Sequence, residues 1–324
     1  MATCTDRVAT WTDRVATVSA VVIHFGRRDL TDGLAAQLLA LPSAPEVIVV
    51  DNAAAEPFDA TPFPGLRCIR LEENRGYGFA CNRGAEATRG EYICILNNDL
   101  EFPQDPLPAL VAALEARPDA GVAGPALRFP DGRFQLSYGA QPSLAAEFLE
   151  RRRQQQNRAG GGTELAARER EAAAPLEPHW VTGACMLFRR DAWEQVSGFD
   201  EAYFFYFEDI DICTRLRRAG WSVLYRPDVR VVHHGGASNP LANPRFVLSY
   251  RREQLRYYAR YRGRVSFFLL QRYLSWKFSR MEAAGAIDAA LAEQLRTLVR
   301  DFPHAAERRA FRSSSTLPPI QEQT

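Results

Sequence analysis

Carboxylates, amides and imidazoles gather in this chain wherever an apolar run stops, and those are the residue types that phosphate, sugar and metal chemistry use. The run YICIL (92–96) ends in Asn97-Asn98-Asp99, followed by Leu100-Glu101. Hard oxygen donors at the end of an apolar strand suit Mg2+ or Mn2+ held against a diphosphate, where the metal neutralises charge on a departing group. The same triplet is also good turn chemistry. The run VIVV (47–50) ends in Asp51-Asn52. Ligands of open parallel sheets bind beyond the carboxyl ends of strands, so the Asp51 carboxylate either accepts hydrogen bonds from a base or ribose or closes its own turn. Between Glu73 and Gly84 a turn leads into a helix, carrying Asn74, Gly76, Gly78 and Asn82. Glycines there permit close backbone approach to a helix N-terminus whose free amides favour phosphate; the spacing is not that of a dinucleotide fingerprint, and a plain glycine turn is the alternative.

Further along, Gly198-Phe199-Asp200-Glu201 precedes Tyr203-Phe204-Phe205-Tyr206-Phe207-Glu208-Asp209-Ile210-Asp211. Carboxylates set among aromatics are costly to bury, and an apolar surround raises their proton affinity towards general-base use. The competing reading is an acidic helix start, which the helix dipole favours. Finally VRVV runs into His233-His234-Gly235-Gly236-Ala237-Ser238. Adjacent residues of a strand face opposite sides, so one of the two histidines points into a given site, where neutral imidazole can join carboxylates on a metal. A structural histidine is the alternative.

These groups need elements to hold them. AVVIHF (20–25), leucines 30, 34, 38 and 41 at helical spacing, and VIVV repeat the rhythm of a strand–helix–strand unit. It continues through RCIRL (67–71), a helix at about 79–89, YICIL, a helix at 107–116 and a short strand near 121–124. Apolar runs without polar alternation predict strands covered on both faces, hence an α/β fold with a mostly parallel central sheet flanked by helices. After a polar, glycine-rich stretch at about 150–178, expected to be a flexible loop or lid, come WVTGACMLF (180–188) as a strand, helices at 191–196 and 209–219, and two strands at SVLY and VRVV. The nucleotide-binding domain is expected over 18–250 and a helical extension over 251–300. Residues 1–17, with TDRVAT duplicated, and 301–324 are expected to be disordered.

The 324 residues and 46% hydrophobic content suffice for one large core without disulfides. A net charge of +1 supplies no global field of the kind nucleic-acid binders use. The six cysteines make no CxxC pair and read as buried thiols of a reducing compartment. No 18-residue uncharged run spans a bilayer, and no signal-like segment opens the chain, so a cytoplasmic protein is expected. One helix, about 265–280, interleaves Phe267, Phe268, Leu270, Leu274 and Phe278 with Arg264, Arg272, Lys277 and Arg280. It is expected either to rest on the inner face of the plasma membrane or to pack against the catalytic domain.

Taken together, the motifs resemble those of the inverting glycosyltransferase family 2, of GT-A fold, and its rhamnosyltransferase-like branch, from about Val18 to Arg262. The carriers are Asp51-Asn52, the turn Glu73 to Gly84, Asn97-Asn98-Asp99, Val181 to Arg190 (VTGACMLFRR), Gly198 to Arg215 and His233 to Ser238. The resemblance implies a nucleotide-sugar donor, dTDP-rhamnose by the branch, and a saccharide or lipid-linked glycan acceptor in cell-surface polysaccharide synthesis. It implies that Asp51 contacts the base, that Asn97 and Asp99 hold metal and diphosphate with Asn98 beside them, and that His233 is a distal ligand. Gly183 and Ala184 would line the donor-sugar and acceptor pocket, and Asp209 would be the catalytic base, with Glu208 and Asp211 beside it. Where the family shows T-Y-N after the first strand this chain has His24-Phe25-Gly26. Two rival classes remain at this point. A sugar nucleotidyltransferase would show a glycine-rich basic loop after the first strand, and a non-catalytic sugar-nucleotide-binding module would not need Glu208-Asp209.

Overall fold

The computed structural model describes residues 17–145, 168–235 and 244–314. Strands β1 (Val18–His24), β2 (Glu46–Asp51) and β4 (Tyr92–Asn97) are buried along almost their whole length. With β3 (Arg67–Arg70) they form a parallel block in the order β3-β2-β1-β4, joined by helices α1 (Arg28–Ala40) and α2 (Tyr77–Glu86). Pleating divides their side chains between two cores. Ala20, Val22, Val47, Val49, Cys94 and Leu96 meet α1 and α3 (Leu107–Glu115) on one face. Val21, Ile23, Ile48, Val50, Ile93 and Ile95 meet α2 and, through Ile212 and Leu216, α5 (Glu208–Arg218) on the other. Helix α2 lies so close to the sheet that a Cβ on Gly84 would sit 2.2 Å from Val21 Cγ1, which explains the glycine.

The remainder of the sheet adds antiparallel strands to this parallel set. Strand β10 (Cys185–Arg189) runs antiparallel between β4 and β6 (Ala120–Arg128). Strand β11 (Ser222–His233) is parallel to β6, and β5 (Leu100–Glu101) pairs antiparallel with its end. An apolar run reports that a strand is buried, not which way its neighbours point. Strand β7 (Phe134–Gln135) pairs with β6, while β8 (Tyr138–Gly139) and β9 (Trp180–Val181) form a separate ribbon. The expected single strand 180–188 is therefore two, broken at Thr182-Gly183-Ala184, and the two expected strands SVLY and VRVV are one, irregular between Arg226 and Arg230. Helix α4 (Arg190–Gln195) follows β10 directly.

Beyond the sheet, α6 (Pro244–Tyr261), α7 (Arg264–Ala283), α8 (Ala289–Asp301) and α9 (His304–Ser314) gather a third core that also takes in Tyr203 and Phe207. The helical extension thus begins earlier than 251 and, against expectation, continues through His304–Ser314. Part of the expected loop is packed as well: 168–171 is helical, Ala172 is buried, and Leu176 exchanges backbone hydrogen bonds with Tyr225. The leader 1–16, the loop stretch 146–167 and the tail 315–324 lie outside the described residues. Of the described cysteines Cys68 is exposed and the others are buried.

Candidate active site

Two registers build the site. Strand β10 pairs Cys185 with Leu96, so the Asn97 N–H donates to Ala184 O (2.9 Å) and the Gly183-Ala184 turn lies beside the end of β4. Strand β11 pairs His233 with Leu100, so the Asp99 carbonyl accepts from His234 N–H (3.0 Å) and the His233 ring reaches Asp99. Residues 99 and 233, far apart along the chain, thereby come into direct contact.

At the first junction the Gly183 N–H donates to Asp209 Oδ2 (3.0 Å), and Asp209 Oδ1 accepts from Ile210 N–H (2.8 Å). Burial pushes the Asp209 carboxyl above the usual range, and these two amides offset only part of that. Tyr77 locks the other side of the turn: its hydroxyl donates to Gly183 O (2.8 Å). Asp209 lies in the first turn of α5, which follows two residues with left-handed backbone, Tyr206 (φ 75°) and Phe207 (φ 68°). Non-glycine residues rarely adopt that conformation, and such strain concentrates at functional sites. Its neighbour Glu208 is buried with Oε2 lacking any hydrogen-bond partner, and burial, then the adjacent Asp209, push its carboxyl well up.

At the second junction His233 Nε2 lies 3.1 Å from Asp99 Oδ1 and 3.4 Å from Asn97 Nδ2, while Nδ1 lies 3.0 Å from Gln135 Oε1. Asp99 Oδ2 accepts from Gly235 N–H (3.0 Å). Burial raises the Asp99 carboxyl, but the His233 ring and the Gly235 amide outweigh it and the net shift is downward. His233 thus sets one ring nitrogen against Gln135 and the other against a carboxylate oxygen, which orients the imidazole towards the end of β4. Carboxylate, imidazole and amide oxygen are a donor set that fits a divalent ion whose other positions are filled by phosphate oxygens and water. Among the described residues no group of three or more His, Cys, Asp or Glu gathers into a self-sufficient metal cage.

Several residues expected to touch ligand also make hydrogen bonds within the protein. Asp51 is buried: its carboxylate accepts from Ala54 N–H (2.9 Å) and Phe58 N–H (3.1 Å) and pairs with Arg70, so both oxygens shape the loop after β2. Asn82 is spent on the 199–201 loop, accepting from Phe199 N–H (2.9 Å) and donating to Phe199 O (2.9 Å) and Glu201 Oε1 (3.1 Å). Asn98 turns towards α1, donating to Thr31 Oγ1 (2.9 Å) and Arg27 O (3.3 Å). Asn74 caps its own turn at Gly76 N–H (2.9 Å) and accepts from Asn52. Gly76 (φ 111°) is required there, since a Cβ would lie 2.5 Å from Phe204 O. Asp211 is fully buried, accepting from Arg215 Nε (2.7 Å) and the Tyr261 hydroxyl (2.7 Å), and Arg215 in turn holds the carbonyls of Val196 and Gly198. It ties α5 to α6 and to the 196–201 loop, and it does not face the Gly183 turn.

His24 is likewise structural, held by Thr31 Oγ1 (2.7 Å) and Glu56 O (2.8 Å). His234 reaches outward to Glu101 (3.4 Å), and Gly236 to Ser238 lie outside the described residues. Tyr77, Gln135 and Tyr261 went unnoticed in the sequence. Tyr77 stood inside the glycine turn, where its type was a signal, but the partners of all three are set by long-range packing.

An α/β sheet with a carboxylate and a histidine meeting beyond its strand ends and a half-buried carboxylate at a helix start has the arrangement of a glycosyltransferase of GT-A type. Residues 19–196 match the family model for Glycosyl transferase family 2 and residues 145–286 that for Glycosyl transferase family group 2, and the chain belongs to glycosyl transferase family 2. It is 32% identical over 218 residues to the N-acetylglucosaminyl-diphospho-decaprenol L-rhamnosyltransferase of Mycobacterium tuberculosis, covering 62% of this chain and 70% of the relative. It is 29% identical over 235 residues to an O-antigen biosynthesis protein of Myxococcus xanthus, covering 68% of this chain and 17% of that one. The crystal structure of GalNAc-T7 with UDP, GalNAc and Mn2+ shares the fold, with a TM-score of 0.54 at 15% identity over 96% of this chain and 60% of that chain.

Proposed function

We propose that the enzyme transfers L-rhamnose from dTDP-rhamnose, with inversion, to a hydroxyl of a saccharide or lipid-linked glycan acceptor in cell-surface polysaccharide synthesis, and that it needs Mg2+ or Mn2+. The observation that carries the chemistry is the half-buried Asp209 carboxylate, held by the Gly183 amide in the turn whose Ala184 carbonyl accepts from Asn97 N–H at the end of β4, just before Asp99. Its raised proton affinity suits a base working near neutral pH. Asp209 takes the acceptor hydroxyl proton as that oxygen bonds to the anomeric carbon from the face opposite the diphosphate, and the bond from that carbon to the diphosphate oxygen breaks. One displacement inverts the centre without a covalent enzyme intermediate. Asp99 and His233 would hold the divalent ion, which supplies charge neutralisation to the leaving diphosphate. The Gly183-Ala184 turn, pinned by Tyr77 and Asn97, shapes the pocket between them. The rhamnosyl donor is supported by the named activity of the mycobacterial relative.

The test is a thermal-shift series with dTDP, UDP and GDP, each with Mn2+ and with excess EDTA. Stabilisation by dTDP above the other two, and only with metal, is expected. A preference for UDP or GDP would overturn the donor, and an EDTA-insensitive shift would overturn the metal.

A further inference from the structure

Helix α7 has two faces, and of the five apolar side chains expected to meet either a membrane or the rest of the protein, Phe268 alone is exposed. Phe267, Leu270, Leu274 and Phe278 are buried in the third core with Tyr273. Turned the other way are Val265 (73% exposed), Phe268 (58%), Leu269 (47%) and Trp276 (43%). Offsets of three, four and eleven residues from Val265 place them on one stripe, with Arg272 filling the remaining position. The other large apolar side chains left exposed among the described residues, Phe25, Leu39, Leu136 and Phe204, stand singly on separate elements. Isolated exposure is ordinary, whereas a continuous apolar face marks a contact surface.

Charge identifies what the contact is with. Arg272 lies within the stripe and Arg264 and Arg280 flank it, and none of the three enters an ion pair among the described residues, while Arg256, Arg260, Arg296 and Arg300 on the neighbouring helices are all paired with carboxylates. The Arg280 guanidinium lies 5.8 Å from the Trp276 ring centre. The acid at the end of the helix, Glu282, is neutralised by Arg296 (2.6 Å). Apolar side chains, a tryptophan and unpaired arginines on one face match an anionic bilayer surface, with the rings at headgroup depth and the guanidinium groups on phosphate. No described helix is long and apolar enough to cross a membrane.

We propose that α7 rests this enzyme on an anionic phospholipid surface through Val265, Phe268, Leu269 and Trp276. The docking would bring the transfer site to a lipid-linked acceptor, a purpose that rests on the functional reading above although the binding itself does not. Flotation of the full chain with phosphatidylglycerol–phosphatidylcholine vesicles, without nucleotide or acceptor, tests it. Wild type should float with these vesicles and bind about 10-fold more weakly to pure phosphatidylcholine. Phe268→Ser with Leu269→Ser should weaken flotation about 10- to 100-fold, as expected when two apolar side chains no longer insert, while keeping the nucleotide-induced thermal shift. Arg272→Glu should lower the preference for phosphatidylglycerol. Flotation of the double variant equal to wild type, or none by wild type, overturns the proposal. So does a dimer that the double substitution dissociates with no vesicle binding, which would make the stripe a contact between two copies. Loss of the nucleotide shift in wild type would count against the donor reading alone.

Discussion

Asp209→Asn and Asp211→Asn are chemically the same change two residues apart, yet the structure demands opposite outcomes. Asp209 carries two backbone hydrogen bonds and no ionic partner, and burial already disfavours its charge. Asparagine keeps one acceptor oxygen, so the stability cost is one hydrogen bond, about 1 kcal/mol. At neutral pH relief of the buried charge offsets part of it. The sign follows from linkage: a folded pKa raised above the unfolded one means the native state binds more protons, so the penalty is absent below the unfolded pKa and sets in as pH rises through the folded one. The variant's Tm should therefore gain on wild type as pH rises from about 4 into the neutral range. Turnover, in contrast, loses its proton acceptor and should fall about 10²–10⁴-fold, with donor binding kept.

Asp211→Asn should reverse the pattern. Its carboxylate faces the Arg215 guanidinium, whose side chain is 8% exposed, and removing the charge strands a buried cation. Breaking such a pair costs about 3–5 kcal/mol. At about 2 °C per kcal/mol for a chain of this size, that is about 6–10 °C in Tm. Acceptor-dependent release of nucleoside diphosphate, measured below both transitions, separates the two. Near wild-type turnover by Asp209→Asn together with an inactive but folded Asp211→Asn would refute the assignment of the base.

Gly76→Ala should lose about 1–3 kcal/mol and weaken donor binding, because φ of 111° and the Phe204 carbonyl leave no room for a Cβ; unchanged thermal denaturation would count against it. Asp99→Ala should abolish the metal-dependent stabilisation by nucleoside diphosphate, which at about 100 times Kd is worth about 2.7 kcal/mol, while leaving the metal-free Tm within a few degrees. Glu208→Gln removes a buried carboxyl with an unpartnered oxygen whose folded pKa is well raised, so it should match wild type near about pH 4 and exceed its Tm near about pH 8; a parallel pH dependence would show the burial penalty to be absent.

Much of this was legible in one dimension because strand ends and helix starts are local events. Apolar runs stopping at Asp51, Asn97 and His233 located the carboxyl edge of the sheet, and 3.6-residue periodicity separated Asp209 from Asp211 before any packing was known. The helical nature of 251–300 was likewise visible, since its periodicity is local. Family-specific spacing, which composition alone does not carry, pointed from these edges to sugar transfer.

Tertiary structure decided which of the marked side chains are free to act. A sequence shows that Asp51, Asn82 and Asp211 are polar groups at strand or helix ends, but whether they face ligand or protein depends on partners such as Phe58, Phe199 and Tyr261, brought up by chain crossings. The meeting of Asp99 with His233 required β5 to pair with the end of β11, and that of Gly183 with Asp209 required β10 to enter the sheet antiparallel. On α7 the sequence could not show which apolar side chains are covered, because that is decided by the third core, which buries Phe267, Leu270, Leu274 and Phe278 and leaves Val265, Phe268 and Leu269 exposed.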